Sequence, residues 1–413
     1  MRFSSTFLFV FCFQITSISQ SNSGDLEQYV GMYIDNLPGS SGDDFQEPST
    51  QQLADWETMI ESLLADDLTS ARSIADSLNY QIVAYTQTPS GELHYVVEEL
   101  TPSIHFWGMY LFNANPCREN LILQAPHPKF DFNTGKQAAF SYVRLSNLAL
   151  FVPGTHRCNN STSSTCSGTT SVCLGSSAPF QISDNAHTVL SVFQRTTEVI
   201  NGSNDDAVFV QLHGFSKLAT DPYVIMSNGT RDTPVTDYVD LIRAELVLID
   251  PTLTFELAHI NLAWTRLIAF SNTQGRLINS SSSPCDTHLD VSSGKFVHIE
   301  QEKTKLRDDS IGWNKIYSAL AIVFPCNSTA EISEVEATSI YISPNPVFGN
   351  ELTIHGDELT NYTLIDLNGN ILLASRFSAT SSTQIDVSSI QKGLYLLVLI
   401  SNDESITQKI IRF

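Results

Sequence analysis

The chain has 413 residues, enough for two domains and a sizeable core, and 42% of them are hydrophobic, which excludes wholesale disorder. Its 22 Lys and Arg stand against 44 Asp and Glu, a formal charge of −22 at pH 7. Such a surface repels polyanions and no compact basic patch offsets it, so nucleic-acid binding is set aside.

Residues 1–20 combine a basic Arg2, an apolar stretch from Phe7 to Phe13 and a small polar exit. That is the pattern of a secretory signal peptide. No later window reaches the length of a membrane-spanning helix, so no integral membrane segment is expected. Cys12 leaves with the signal. Cys117, Cys158, Cys166, Cys173, Cys285 and Cys326 remain for disulfides, with their pairing left open. A cysteine metal site is the lesser reading, because no CxxC spacing occurs.

Residues 21–50, rich in Ser, Gly, Asp and Pro, read as a loosely ordered arm. Apolar residues at Leu53, Trp56, Ile60, Leu63 and Leu64 then predict a helix, with Ser49 and Gln52 as its capping box. A second helix is expected over 69–78. Strands follow at Tyr80–Tyr85 and Leu93–Val97, parted by the turn Pro89-Ser90-Gly91. Leu121-Ile122-Leu123 is a short apolar run bounded like a buried strand, and it leads directly into His127 and Asp131.

A helix is predicted over 136–145 and a strand over 148–152, ending in His156-Arg157. The Cys, Ser, Thr and Gly-rich stretch 158–177 is a long insertion. Asp184 to His187 is read as the opening of a helix, with Asp184 as its cap. The strand Ala207–Leu212 ends in His213. Residues 237–258 mix helical and strand signals and stay unassigned. Strand alternation puts His298 and Glu300 on one face of Lys295–Glu300, and a closing helix runs over 311–323.

Strands alternating with helices predict an α/β main domain over 51–325, with a parallel or mixed central sheet and flanking helices. After a linker at 326–338, short strands and turn signals predict a small all-β domain over 339–413, an Ig-like sandwich.

Ser343-Pro344-Asn345-Pro346, Tyr362 to Gly369, Ile385 to Tyr395 and Gln408 to Ile411 resemble, in order, the type A C-terminal sorting domain of the type IX secretion system. The resemblance implies a Bacteroidetes-type exported protein that engages the type IX machinery and reaches the cell surface or the medium. It is silent on the activity of the cargo.

Three strand ends in succession terminate in histidine, and loops at strand carboxyl ends are where catalytic groups collect. His127, Asp131 and His213 form a candidate N/O ligand set for zinc, with Glu300 as general base and Arg157 as the cation for a developing oxyanion or a substrate carboxylate. His156, His187 and His298 are candidate substrate contacts.

Their order over 120–307 resembles the zinc carboxypeptidase superfamily, including the N-formylglutamate and succinylglutamate amidohydrolases. Those proteins place a His-x-x-Glu pair after a strand, an Arg midway, a His at a later strand end and a Glu on a late strand. Here the first pair is His-x-x-x-Asp, so Asp131 is either a ligand or the group that orients His127. The resemblance implies a zinc-dependent hydrolase of an amide or peptide bond in an acidic or carboxylate-bearing substrate. Plainer readings stand beside it: His213 as a hydrogen-bonded turn residue, His298 and Glu300 as a structural pair, and the whole as a non-catalytic surface module binding glycan or protein.

Overall fold

The computed structural model describes residues 21–175, 177–326, 341–366, 369–401 and 404–412. The expected signal peptide and nearly all of the expected linker lie outside them. The chain divides into two compact units, Met1–Asn327 and Ser328–Phe413.

The first unit runs β1 (Ser21–Gly24), α1 (Leu26–Asp35), α2 (Thr50–Leu64), α3 (Leu68–Ser77), β2 (Tyr80–Gln87), β3 (Leu93–Glu99), β4 (Met109–Asn113) and β5 (Arg118–Gln124). It continues through α4 (Thr134–Leu145), β6 (Asn147–Val152), β7 (Thr169–Thr170), β8 (Ala178–Pro179), α5 (Val192–Ser203), β9 (Val208–Gly214) and β10 (Val224–Ser227). It closes with α6 (Tyr238–Ile249), β11 (Phe255–Leu257), α7 (Thr273–Ile278), β12 (Phe296–Gln301), α8 (Lys303–Leu306) and α9 (Ser310–Val323).

Ten strands form one mixed sheet in the order β1-β2-β3-β4-β6-β5-β9-β12-β10-β11. Its centre, β6-β5-β9-β12, is parallel. Strands buried on both faces read as apolar runs, as Val208-Phe209-Val210 does. One face packs under α1, α4, α6 and α9 through Leu26, Tyr142, Ile242 and Ile316. The other packs under α2, α3, α5 and α7 through Trp56, Ala71, Phe193 and Ile278. The capping box of α2 forms as expected, and Trp56 Nε1 donates to Thr196 Oγ1 at 2.9 Å, tying α2 to α5. The expected α/β class is therefore what the unit adopts.

The arm is a correction. Residues 21–24 pair in parallel with β2, and α1 buries Leu26, Val30 and Ile34. That four-residue spacing is a narrow helical stripe, overshadowed in the sequence by the Ser, Gly and Pro beyond Asp35. Burying three such side chains contributes roughly 1.5–3 kcal/mol each, enough to hold the segment down. Asp25 caps α1 by accepting from Gln28 N at 3.1 Å. The unassigned stretch 237–258 resolves into α6, capped by Asp237, and β11. The six cysteines form Cys117–Cys326, Cys158–Cys173 and Cys166–Cys285.

The second unit contains β13 (Tyr341–Ser343), β14 (Glu351–Ile365), β15 (Ile371–Asp386), β16 (Gly393–Ser401) and β17 (Glu404–Arg412). It is all-β and antiparallel, ordered β13-β14-β16-β17 with β15 beside β14. Where turn signals predict only short strands, β14 is one long strand that continues through a register shift between His355 and Leu359. Leu352, Leu364, Ile385 and Leu397 form the core.

Candidate functional site

Across β5, β9 and β12 one face changes character toward the carboxyl ends. Ile122, Phe209 and Phe296 make an apolar layer in register, and Gln124, Gln211 and His298 make the next. His213 and Glu300, paired in register, make the third. Two-residue alternation alone places Phe209, Gln211 and His213 on this face of β9, and Phe296, His298 and Glu300 on the same face of β12. Beyond β5, the chain turns tightly: Asp131 N donates to His127 O at 2.9 Å and Thr134 Oγ1 to Asp131 O at 2.8 Å. That turn sets His127 and Asp131 beside His213.

The ligand-capable atoms of His127, Asp131 and His213 lie within 4.8 Å of one another, and all three residues are buried. His127 Nδ1 is 3.2 Å and His213 Nδ1 is 3.3 Å from the same oxygen, Asp131 Oδ2. Gly214 N also donates to that oxygen at 3.2 Å. A Cβ at Gly214 would run into the Arg307 guanidinium and displace it.

The tautomers of both histidines follow from their outer partners. Thr197 Oγ1 donates its hydrogen to Phe193 O in α5, so it can only accept from the Gln124 amide nitrogen, at 2.9 Å. The Gln124 oxygen therefore faces the Gln211 nitrogen at 2.8 Å, and the Gln211 oxygen is turned to His213 Nε2 at 3.1 Å. From the other side, Asn272 Oδ1 accepts from Gly275 N and its amide donates to that same Gln211 oxygen at 2.7 Å. His213 Nε2 must then carry the hydrogen, leaving a lone pair on Nδ1. His127 Nε2 donates to Asp184 Oδ1 at 2.8 Å, and Arg157 Nη1, a donor only, lies 3.4 Å from His127 Nδ1. When both rings are neutral, two imidazole lone pairs and a carboxylate oxygen converge on one point, a set of acceptors that could hold a divalent cation in place of a proton on His127 Nδ1.

Burial pushes the His213 ring down to about 4, keeping it neutral. Burial and then Arg157 also lower His127, but Asp184 and Asp131 together outweigh them and raise it. Asp131 is lowered despite its burial, chiefly by the His127 charge. Burial, reinforced by the Asp131 charge, lifts the Glu300 carboxyl to about 8. Among the described residues neither Glu300 Oε2 nor His298 Nδ1 has a hydrogen-bond partner, and His298 Nε2 is 3.7 Å from Glu300 Oε1, too far for a hydrogen bond.

Arg157 is held by Asp184, whose Oδ2 accepts from Nε at 3.0 Å and also from Nη2. His187 Nδ1 lies 3.0 Å from Asp184 Oδ1, and its ring stacks on Phe180 at 3.8 Å. Asp184 does not cap a helix, which corrects the expectation: α5 begins at Val192 under Ser191, and Asp184 sits in the loop before it, linking His127, His187 and Arg157. His156 is not among the residues that line the cavity: its Nδ1 accepts from Cys158 N at 3.0 Å and its ring packs against Phe130, which is. The remaining expected residues line that cavity, of about 910 Å³, together with Arg266, Arg276 and Arg307, which the sequence reading did not single out.

Residues 339–412 match the family described as the secretion system C-terminal sorting domain. The second unit is accordingly a type IX sorting domain, which engages that secretion machinery and directs the protein to the cell surface. No helix among the described residues is long and apolar enough to cross a membrane. A solved structure of the CBM51-2 and INT domains of Clostridium perfringens ZmpB is similar at 18% identity, covering 16% of each chain with a TM-score of 0.13. A putative carboxypeptidase A from Shewanella denitrificans is similar at 12% identity, covering 63% of this chain and 66% of its own, with a TM-score of 0.30. This chain spans less than two thirds of either structure. No curated protein matches it.

Proposed function

We propose that the first unit is an exported zinc-dependent hydrolase that cleaves an amide or peptide bond in a carboxylate-bearing substrate. The observation that carries this reading is the convergence of His127 Nδ1, His213 Nδ1 and Asp131 Oδ2 with both histidine tautomers fixed from behind. With both rings neutral, a cation there would meet all three acceptors at once. Neutral imidazole and carboxylate are the donor types that zinc takes in catalytic sites, and zinc there supplies Lewis acidity and a more acidic water.

Glu300 is the base. Glu300 lines the cavity and its Oε2 has no partner among the described residues; a cation held beside it would offset the burial that lifts its carboxyl and favour the ionised form, which can take the proton of the attacking water and return it to the leaving amine. Arg157, oriented by Asp184, steadies negative charge that develops on the carbonyl oxygen. Asp184 acts from behind, fixing both Arg157 and the His127 ring.

Chelation provides the test. Full-length protein should hydrolyse members of a panel of N-acyl-glutamates and short acidic peptides. Dialysis against a strong chelator should remove the activity, and added zinc should restore it. Turnover that persists after metal removal, or no turnover of any amide in zinc-loaded protein, would overturn the reading.

A further inference from the structure

Acids outnumber bases two to one along the chain, 44 to 22, yet around the cavity the balance reverses. Arg157, Lys217, Arg266, Arg276, Lys303 and Arg307 line it, against Asp131, Glu300 and Glu302. Two of these carboxylates have other engagements: Asp131 faces the two histidines, and Glu302 accepts from Thr304 N and Lys305 N at the start of α8. Arg276 and Arg307 are held mainly through backbone carbonyls, of Phe270, Pro284 and Cys285 and of Gln301, Phe132 and Phe215. Carbonyls satisfy their hydrogens without cancelling their charge. A concave, positively charged pocket in an otherwise anionic protein concentrates anions.

Within this pocket Arg266 is pre-positioned. Its guanidinium carbon lies 5.3 Å over the Phe215 ring, and Nη1 is 3.1 Å from Asp221 Oδ2, a buried carboxylate that also accepts from Leu218 N at 2.8 Å. The Arg266 side chain keeps 36% of its surface exposed. Lys217 lies on the loop of Phe215 and Asp221, four residues past His213, with its ammonium 5.2 Å over Tyr223. Nη2 also reaches Ser216 O at 3.5 Å, a long contact, and the partly exposed guanidinium keeps N–H hydrogens that a carboxylate could accept. The loop carrying Arg266 also carries Asn272, which bonds Gln211 behind His213, so this cation and the candidate centre share one wall.

The geometry points to a second anionic subsite, formed by Arg266 and Lys217, that takes a carboxylate of the substrate distinct from any group engaged at Arg157. The substrate class is then a compound with carboxylates at two positions, such as an acidic peptide. This rests on the proposed hydrolase reading for its purpose, but not for its test.

Glutarate and pentanoate, five-carbon acids with two carboxylates and one, contain no amide bond and serve as probes. Calorimetric titration into zinc-supplemented full-length protein should show glutarate binding at least tenfold tighter. Arg266→Gln should bring that ratio close to one. Because this change leaves Asp221 buried without its cation, Lys217→Gln is the second variant, expected to reduce the ratio severalfold. Equal binding of the two acids by the parent, or a ratio that neither variant alters, would overturn the subsite. Amide hydrolysis stands or falls separately: glutarate preference without turnover would sink the hydrolase reading and keep the subsite.

Discussion

Glu300→Gln should lower amide hydrolysis by about 10²–10⁴-fold, the range for loss of a positioned acid–base group, while bound metal stays at the parent level. Glutamine keeps the shape of the side chain and the β12 pairing of residue 300 with His213, so the cavity is preserved. What disappears is an oxygen able to accept a proton. Glu300 is only 7% exposed and its Oε2 has no partner among the described residues, an arrangement that raises its energy as a carboxylate and would be wasteful in a purely structural residue. The measurement is a single-turnover rate beside metal content. A rate within threefold of the parent would remove Glu300 from the chemistry.

Asp184→Ala should weaken zinc binding about 10–100-fold, as loss of an outer partner of a ligating histidine does. Asp184 Oδ1 receives His127 Nε2–H, and its Oδ2 holds Arg157. Removing it frees the His127 ring to adopt the other tautomer, which would put a hydrogen on Nδ1 where a lone pair is needed. It also strands the buried Arg157 charge, so a stability loss of about 3–5 kcal/mol is expected from breaking a buried pair. Chelator competition gives the zinc affinity, and thermal unfolding gives the stability. An unchanged zinc affinity in a folded variant would show that His127 does not need Asp184 to bind metal.

Much of this site was legible in the sequence because strand alternation is strict. An apolar run ending in a histidine places that side chain at the carboxyl end of a buried strand, as at His213, and a two-residue spacing places His298 and Glu300 on one face. Asp184 was not legible as a site residue. Its surroundings, Ser183-Asp184-Asn185, have the composition of a helix start, and only the folded chain shows the helix beginning at Val192, capped by Ser191.

The amide chain behind His213 was also missed, although it left a signal: Gln124 and Gln211 interrupt otherwise apolar strands, and an amide on a buried strand face needs partners. Arg266 and Lys217 come from loops separated by almost fifty residues, and no local pattern links them. In the second unit, turn-forming residues broke the reading of β14 into pieces, whereas the strand runs on through a register shift.

The most direct measurement is elemental analysis of purified full-length protein beside its His127→Ala, His213→Ala and His156→Ala variants. The expected result is about one zinc per chain in the parent, lost in the first two variants and kept in the third, whose altered residue is not among those lining the cavity. No metal in the parent after incubation with zinc, or metal retained by both His127→Ala and His213→Ala, would contradict the candidate centre and the hydrolase built on it.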